Sequence, residues 1–259
     1  MKNSSFIRKD IFGVPVLKSE ILESFKDLSH GFSTRRGGES PAPYDSLNIG
    51  IAVGDLEENV KKNRNLISGI SCSERSVYLT QVHGSEILVI KNDSSIPDPD
   101  TVKADGVITD CKDLALVIQT ADCQAALLYD PVKKVAGAVH SGWRGNVFDI
   151  LGRTVRKMAE VFDSDPSDIR ASIGPSLGPC CAEFINFRTE LPEALWAYGD
   201  EKCFFDFWEI SRAQLQKAGL QADRISVSGL CTKCDKDSFF SYRGSKITGR
   251  MAGFICINN

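Results

Sequence analysis

The chain has 259 residues, 42% hydrophobic and 25% charged, with a formal net charge of −3. That balance supports a buried core, argues against disorder, and lacks the basic footprint of a nucleic-acid-binding protein. The longest apolar run, Leu114-Ala115-Leu116-Val117-Ile118, is far too short to span a bilayer and Met1–Asp10 carries no signal-peptide core, so a cytoplasmic protein without membrane or nucleic-acid partners is expected.

Residues 55–68 are predicted helical. Asp55 and Glu58 form a capping-box pattern, and Leu56, Val60, Asn63, Ile67 and Ile70 make one apolar stripe with Arg64 at its edge. Strand-like runs follow at 76–82, 86–91, 105–109, 114–120, 124–129 and 135–140. A second helix is expected over 146–162, capped by Asn146 and burying Val147, Leu151, Thr154, Met158 and Phe162. A short helix is expected near Leu191–Tyr198. Asp206 with Glu209 opens another ahead of Phe207, Ile210, Leu215 and Ala218, and strands close the chain at 224–228 and 252–257. No repeat or linker interrupts this series, so residues 1–259 read as one domain. Helices and strands mix without strict βαβ alternation, which predicts an α+β (mixed α/β) fold.

Histidine is scarce: His30, His83 and His140 are the only three, beside nine cysteines. An odd cysteine count without an export signal points to core thiols, metal ligands or nucleophiles rather than disulfides. Asp130-Pro131-Val132-Lys133 is a turn sequence between two strand runs and predicts a hairpin. With Tyr129 opposite Lys134, Cys123 stands directly opposite His140, with Cα atoms roughly 4.5–5.5 Å apart on one face of the sheet. Those are two ligands for one metal. Position alone does not choose between His83, at a strand end running into Gly84, and His30 as the third. Cys231-Thr232-Lys233-Cys234 has zinc-knuckle spacing, but no second such pair accompanies it, so a separate structural zinc is not expected. Cys180-Cys181, after Gly178-Pro179, could line a site. Cys72, Cys111, Cys203 and Cys256 read as small apolar residues.

Several segments, in order, carry a resemblance: His30-Gly31-Phe32-Ser33-Thr34-Arg35-Arg36-Gly37-Gly38, Pro43-Tyr44-Asp45-Ser46-Leu47-Asn48-Ile49-Gly50, Val53-Gly54-Asp55, Asn63-Arg64, Gln81-Val82-His83-Gly84 and Ala104-Asp105-Gly106. They continue with Thr120-Ala121-Asp122-Cys123, Val139-His140-Ser141-Gly142-Trp143-Arg144-Gly145, Ile173-Gly174-Pro175, Gly178-Pro179-Cys180-Cys181, Phe239-Phe240-Ser241-Tyr242-Arg243 and Thr248-Gly249-Arg250. Through nearly its whole length the chain resembles the laccase-domain family, known by the names polyphenol oxidase, purine nucleoside phosphorylase and peptidoglycan editing factor. It departs from the family at Gly244, where a second arginine is frequent, and at Ala182, where an aromatic is common.

The resemblance implies a sandwich of two mixed sheets flanked by helices. It also implies a metal, usually zinc, on the residues matching His83, Cys123 and His140; three ligands and an open fourth position are the catalytic zinc pattern. Phosphorolysis of inosine, adenosine and methylthioadenosine is then expected, with adenosine deamination as a second reaction. Arg64 and Arg144 are candidates for phosphate or ribose contact, since guanidinium binds phosphate in bidentate fashion. Asp122 is a candidate acid/base or orienting group beside Cys123, and Ser141, Gly142 and Trp143 are expected at the substrate. Two other readings use the same residues. A copper oxidoreductase needs a weak axial methionine, and apart from Met1 only Met158 and Met251 are available. A cysteine hydrolase acting in peptidoglycan-precursor editing would use Cys123 as nucleophile and His140 as base.

Overall fold

The structure is a computed structural model that describes residues 6–91 and 95–259; the first five residues, where the segment read for an export signal begins, lie outside it. Its centre is set by strands whose alternate residues are apolar on both faces. In β7 (Leu114–Thr120), Leu114, Leu116 and Ile118 face one core, and Ala115 and Val117 face another. In β8 (Gln124–Asp130), Ala125, Leu127 and Tyr129 face the first core, and Ala126 and Leu128 a third. A strand buried on both sides requires a layer above and a layer below.

Those layers are two mixed six-stranded sheets with helices outside. One sheet runs in the order β1 (Phe6–Ile11), β2 (Val14–Ser19), β3 (Leu28–Ser33), β12 (Met251–Ile257), β7, β4 (Arg75–Tyr78). The other runs β11 (Ile225–Val227), β10 (Arg170–Ile173), β8, β9 (Val135–Ser141), β6 (Gly106–Thr109), β5 (Ile87–Ile90). Side chains from both fill the space between them, among them Phe32, Leu116, Ile118, Leu127, Tyr129, Ala138 and Ile255. Ile67 and Ile70 of α2 (Glu57–Ser71) cover the outer face of the first sheet. Leu151, Val155 and Met158 of α4 (Ile150–Phe162), with Leu215 of α6 (Phe207–Lys217), cover the second. No helix of the described residues is long and apolar enough to cross a membrane.

The expected sandwich of mixed sheets is therefore observed, with local differences. The Asp55 capping box does not form: its carboxylate receives Ser40 Oγ, Asn48 Nδ2 and the Leu56 amide, and Leu56 is exposed. The helix expected over 146–162 is two helices, α3 (Trp143–Val147) and α4, because Asp149 turns left-handed at φ 55° and accepts the Gly152 amide as the cap of α4. Asn146 is buried inside α3 instead. The helix expected at 191–198 is a tighter 3₁₀ turn, Glu193–Tyr198. Strands β1, β2, β3 and β10 were not predicted. The β1–β2 hairpin turns on Phe12 and Gly13, both at positive φ, the backbone a two-residue hairpin requires.

The register of the β8–β9 hairpin needs correction. Asp130 pairs with Val135 and Ala125 with His140, so Cys123 is not directly opposite His140. The loop is Pro131–Lys134. Asp130 Oδ1 accepts the amides of Val132 and Lys133, which draws Asp130 into the last strand pair, and Lys134 closes the turn at φ 56°. The error amounts to two residues, and a two-residue slip preserves the face. His140 and Cys123 therefore still project to the same side, diagonally.

Candidate metal centre

Three segments meet at one end of the sandwich: the loop after β4, the approach to β8 and the end of β9. They carry His83, Cys123 and His140, and one possible ligand atom from each lies within 4.8 Å of the other two. Cys123 Sγ stands 3.7 Å from His83 Nε2, and the two imidazoles meet edge to face at 4.8 Å between centroids. The structure thus selects His83. His30 is buried in β3, where its Nε2 accepts the Ser19 amide, and it belongs to the core.

Asp105, just before β6, organises the centre. Its Oδ1 receives His140 Nδ1 at 2.8 Å and the His83 amide at 2.9 Å, and its Oδ2 receives the Gly84 amide at 2.6 Å. Its own carbonyl accepts the His140 amide. One buried carboxylate thereby fixes the His140 ring, leaving Nε2 free for a ligand role, and pins the His83 turn, whose backbone sits at φ 59°. A histidine in that region stores about 1–3 kcal/mol of strain, which the hydrogen bonds to Asp105 offset. Burial pushes the Asp105 carboxyl up, but the bonds from His140, Gly84 and His83 outweigh it and hold it below its ordinary range.

Cys123 follows Asp122, itself at φ 88°. Asp122 Oδ1 accepts Thr232 Oγ1 at 2.7 Å, Oδ2 accepts the Arg243 amide at 2.5 Å, and its carbonyl accepts the Leu177 amide at 2.8 Å. Asp122 therefore ties three loops together behind Cys123. Burial pushes the Cys123 thiol up, but His140 and His83 more than reverse this and bring it down to about 6. Burial pushes His140 down, while Cys123 and Asp105 raise it to about 9. Thiolate and imidazole stabilise each other, and a soft divalent cation replacing the shared proton would satisfy both. Donor set, spacing and the Asp105–His140 bond all fit a zinc-type ion.

The centre lies where two lobes of a cleft join. One lobe, about 570 Å³, is walled by Thr80, Gln81, Asp100, Gln119 and Arg250. The other, about 460 Å³, is walled by Trp143, Arg144, Phe184, Arg243 and Lys246. His83, Cys123 and Tyr242 border both. Trp143 and Arg144 line this second lobe, with the Arg144 guanidinium 4.4 Å above the Trp143 ring. Ser141 is buried, its Oγ accepting Asn146 Nδ2. Gly142 provides space: a Cβ there would come within 3.0 Å of both Cys123 Sγ and the His83 ring.

Arg64 is not brought to the ligands. It pairs in bidentate fashion with Asp100, donates to the Ile49 carbonyl and stacks on Tyr78 at 3.9 Å. Its contact with the cleft runs through Asp100. Sequence reading assigned no role to Asp105, Asp100, Arg243, Lys246 or Arg250. Several stand in the motifs that carry the resemblance, but nothing local marks them, because their neighbours come from distant segments.

A family model described as "Multi-copper polyphenol oxidoreductase laccase" matches residues 29–258. Among similar proteins, "Purine nucleoside phosphorylase YlmD" of Bacillus subtilis is 34% identical over 89% of this chain and 88% of the relative. "Purine nucleoside phosphorylase SCO2081" of Streptomyces coelicolor is 38% identical over 88% and 95%. Among solved structures, YlmD from Geobacillus stearothermophilus superposes with a TM-score of 0.87 at 31% identity, covering 99% of this chain and all of that one.

Proposed function

This chain belongs to the laccase-like family of that model, and from that membership we propose that it is a zinc-dependent purine nucleoside phosphorylase. Its substrates are inosine, adenosine and methylthioadenosine, with adenosine deamination as a second reaction. The observation that carries the reading is the convergence of His83, Cys123 and His140 at the junction of the two lobes of the cleft. The names of the relatives add the reaction class.

Zinc held by these three residues supplies Lewis-acid polarisation of a substrate or water oxygen. The chain's own groups do the rest. Arg144, Arg243 and Lys246 gather positive charge in one lobe and suit phosphate. In the other, the Asp100 carboxylate faces the cleft as an acceptor for ribose hydroxyls. Arg64 and Gln119 Nε2 hold it in place, so Arg64 acts as a positioning residue. Asp122, with both oxygens engaged, orients Cys123. Copper is the weaker reading, because Met158 and Met251 are buried in the packing and neither lines the cleft.

The test is purified protein with inosine and phosphate, read by chromatography. Hypoxanthine and ribose 1-phosphate should form only with phosphate, disappear on chelation and return with zinc but not copper. If zinc-loaded protein releases no purine, the assignment fails. Hydrolysis that survives chelation and is abolished by alkylating Cys123 would establish the thiol-hydrolase reading instead.

A further inference from the structure

A second cluster lies outside this centre. The sulfurs of Cys180, Cys181, Cys231 and Cys234 all lie within 4.8 Å of one another. Cys234 Sγ is 3.4 Å from Cys180 Sγ and 3.6 Å from Cys181 Sγ. Disulfide sulfurs lie about 2.05 Å apart, so these pairs are not bonded. A tetrahedral ion with metal–sulfur bonds of about 2.3 Å places its sulfurs about 3.8 Å apart, close to the spacing found.

The topology produces this cluster. Strands β10 and β11 pair in parallel, so the loops that follow them leave the sheet on the same side. Those loops pair further: Ser176 donates its amide to the Leu230 carbonyl and accepts the Thr232 amide. One loop then turns through Cys180-Cys181 and the other through Cys231–Cys234. The Gly178 amide donates to Cys231 Sγ at 3.4 Å. With four sulfurs and no open position, the donor set is of the closed, structural kind.

We propose that Cys180, Cys181, Cys231 and Cys234 bind a structural zinc ion that locks together the two loops that hold Asp122. Thr232 sits inside the knuckle and bonds Asp122 Oδ1, and Leu177 on the opposite loop bonds the Asp122 carbonyl. The ion therefore braces the backbone that carries Cys123, while sharing no ligand with the first centre.

The experiment uses full-length protein produced with zinc and kept reduced, and the double variant His83→Ala/His140→Ala, which empties the first centre. That variant should retain about one zinc per chain, with X-ray absorption showing four sulfur neighbours. On wild type, the exposed Cys180 and Cys234 should resist iodoacetamide by at least tenfold relative to chelator-treated protein. Cys231→Ser/Cys234→Ser should carry one zinc fewer than wild type. The proposal is overturned if folded His83→Ala/His140→Ala protein holds no zinc or holds it through nitrogen or oxygen. It is equally overturned if Cys180 and Cys234 alkylate at the same rate with and without chelator, or if reduced-buffer preparations show a disulfide among the four. Should the Cys231→Ser/Cys234→Ser chain fail to fold, the wild-type alkylation result decides. None of these readouts depends on phosphorolysis, so either assignment can fail alone.

Discussion

Asp105 supplies no ligand atom, yet both of its oxygens are committed to the centre, one to His140 Nδ1 and the His83 amide, the other to the Gly84 amide. Asp105→Asn keeps the shape but puts a donor where only acceptors fit. Zinc affinity should fall by about 10–100-fold, read by competition with a chromophoric chelator, while the far-ultraviolet spectrum stays native. Unchanged affinity would show that the histidines hold their places without the carboxylate. His30 supplies a different test. Burial, and then the Lys18 charge, push it down from an ordinary 6.5 to about 3, and its Nδ1 has no partner among the described residues. Above pH 6.5 it is neutral in both the folded and unfolded chain and contributes nothing to pH dependence. Below that, the unfolded chain takes up a proton the folded one refuses. Stability should fall by up to about 1.4 kcal/mol per pH unit until about pH 3. Urea titrations at pH 7, 6 and 5 should show wild type losing ground to His30→Gln at close to that slope. A pH-independent gap between the two would refute the buried neutral state.

At the scale of elements, Asp149 divides the segment 143–162. It takes a left-handed backbone and caps α4 through Gly152. Asp149→Ala loses the cap, worth about 0.5–2 kcal/mol, and also places a Cβ residue with no local hydrogen bond at φ 55°. Asp149→Gly loses the cap but keeps the conformation. Thermal melts should therefore rank wild type above Asp149→Gly above Asp149→Ala; Ala equal to Gly would mean that the segment shifts to avoid the left-handed turn. The buried row of α4 was legible, because Leu151, Thr154 and Met158 repeat at helical spacing. The break at Asp149 was not, because its signal is one residue's backbone angle. The β8–β9 hairpin follows the same rule. Its two strands were readable from apolar runs, but its register depended on which residues Asp130 hydrogen-bonds within the turn.

Across the whole molecule, the two sheets pack tightly at Gly253 of β12, where a Cβ would lie 2.6 Å from the Ala125 Cβ. Gly253→Ala should cost about 1–3 kcal/mol through overpacking. Gly253→Ala/Ala125→Gly should recover part of that loss in denaturant melts, since the added methyl takes the space of the removed one. No recovery would place the strain elsewhere, the nearby Phe32 ring being the next neighbour. Ala125 pairs with His140, so this contact lies directly beside a residue of the candidate metal centre.

Residue chemistry and short-range period were already present in the linear chain. Three histidines among 259 residues limited the candidates, turn residues marked a hairpin, and apolar spacing outlined α2, α4, α6 and the central strands. Each of these is a property of neighbours within one or two turns of chain. The convergence that sets His83 apart from His30, which the family resemblance had implied but position had not, was decided only in three dimensions, as were the carboxylate of Asp105, the capture of Arg64 by Asp100 and the meeting of Cys180-Cys181 with Cys231–Cys234. Each joins segments separated by many residues, and which of them meet depends on strand order and on the loops those strands deliver to one end of the sandwich.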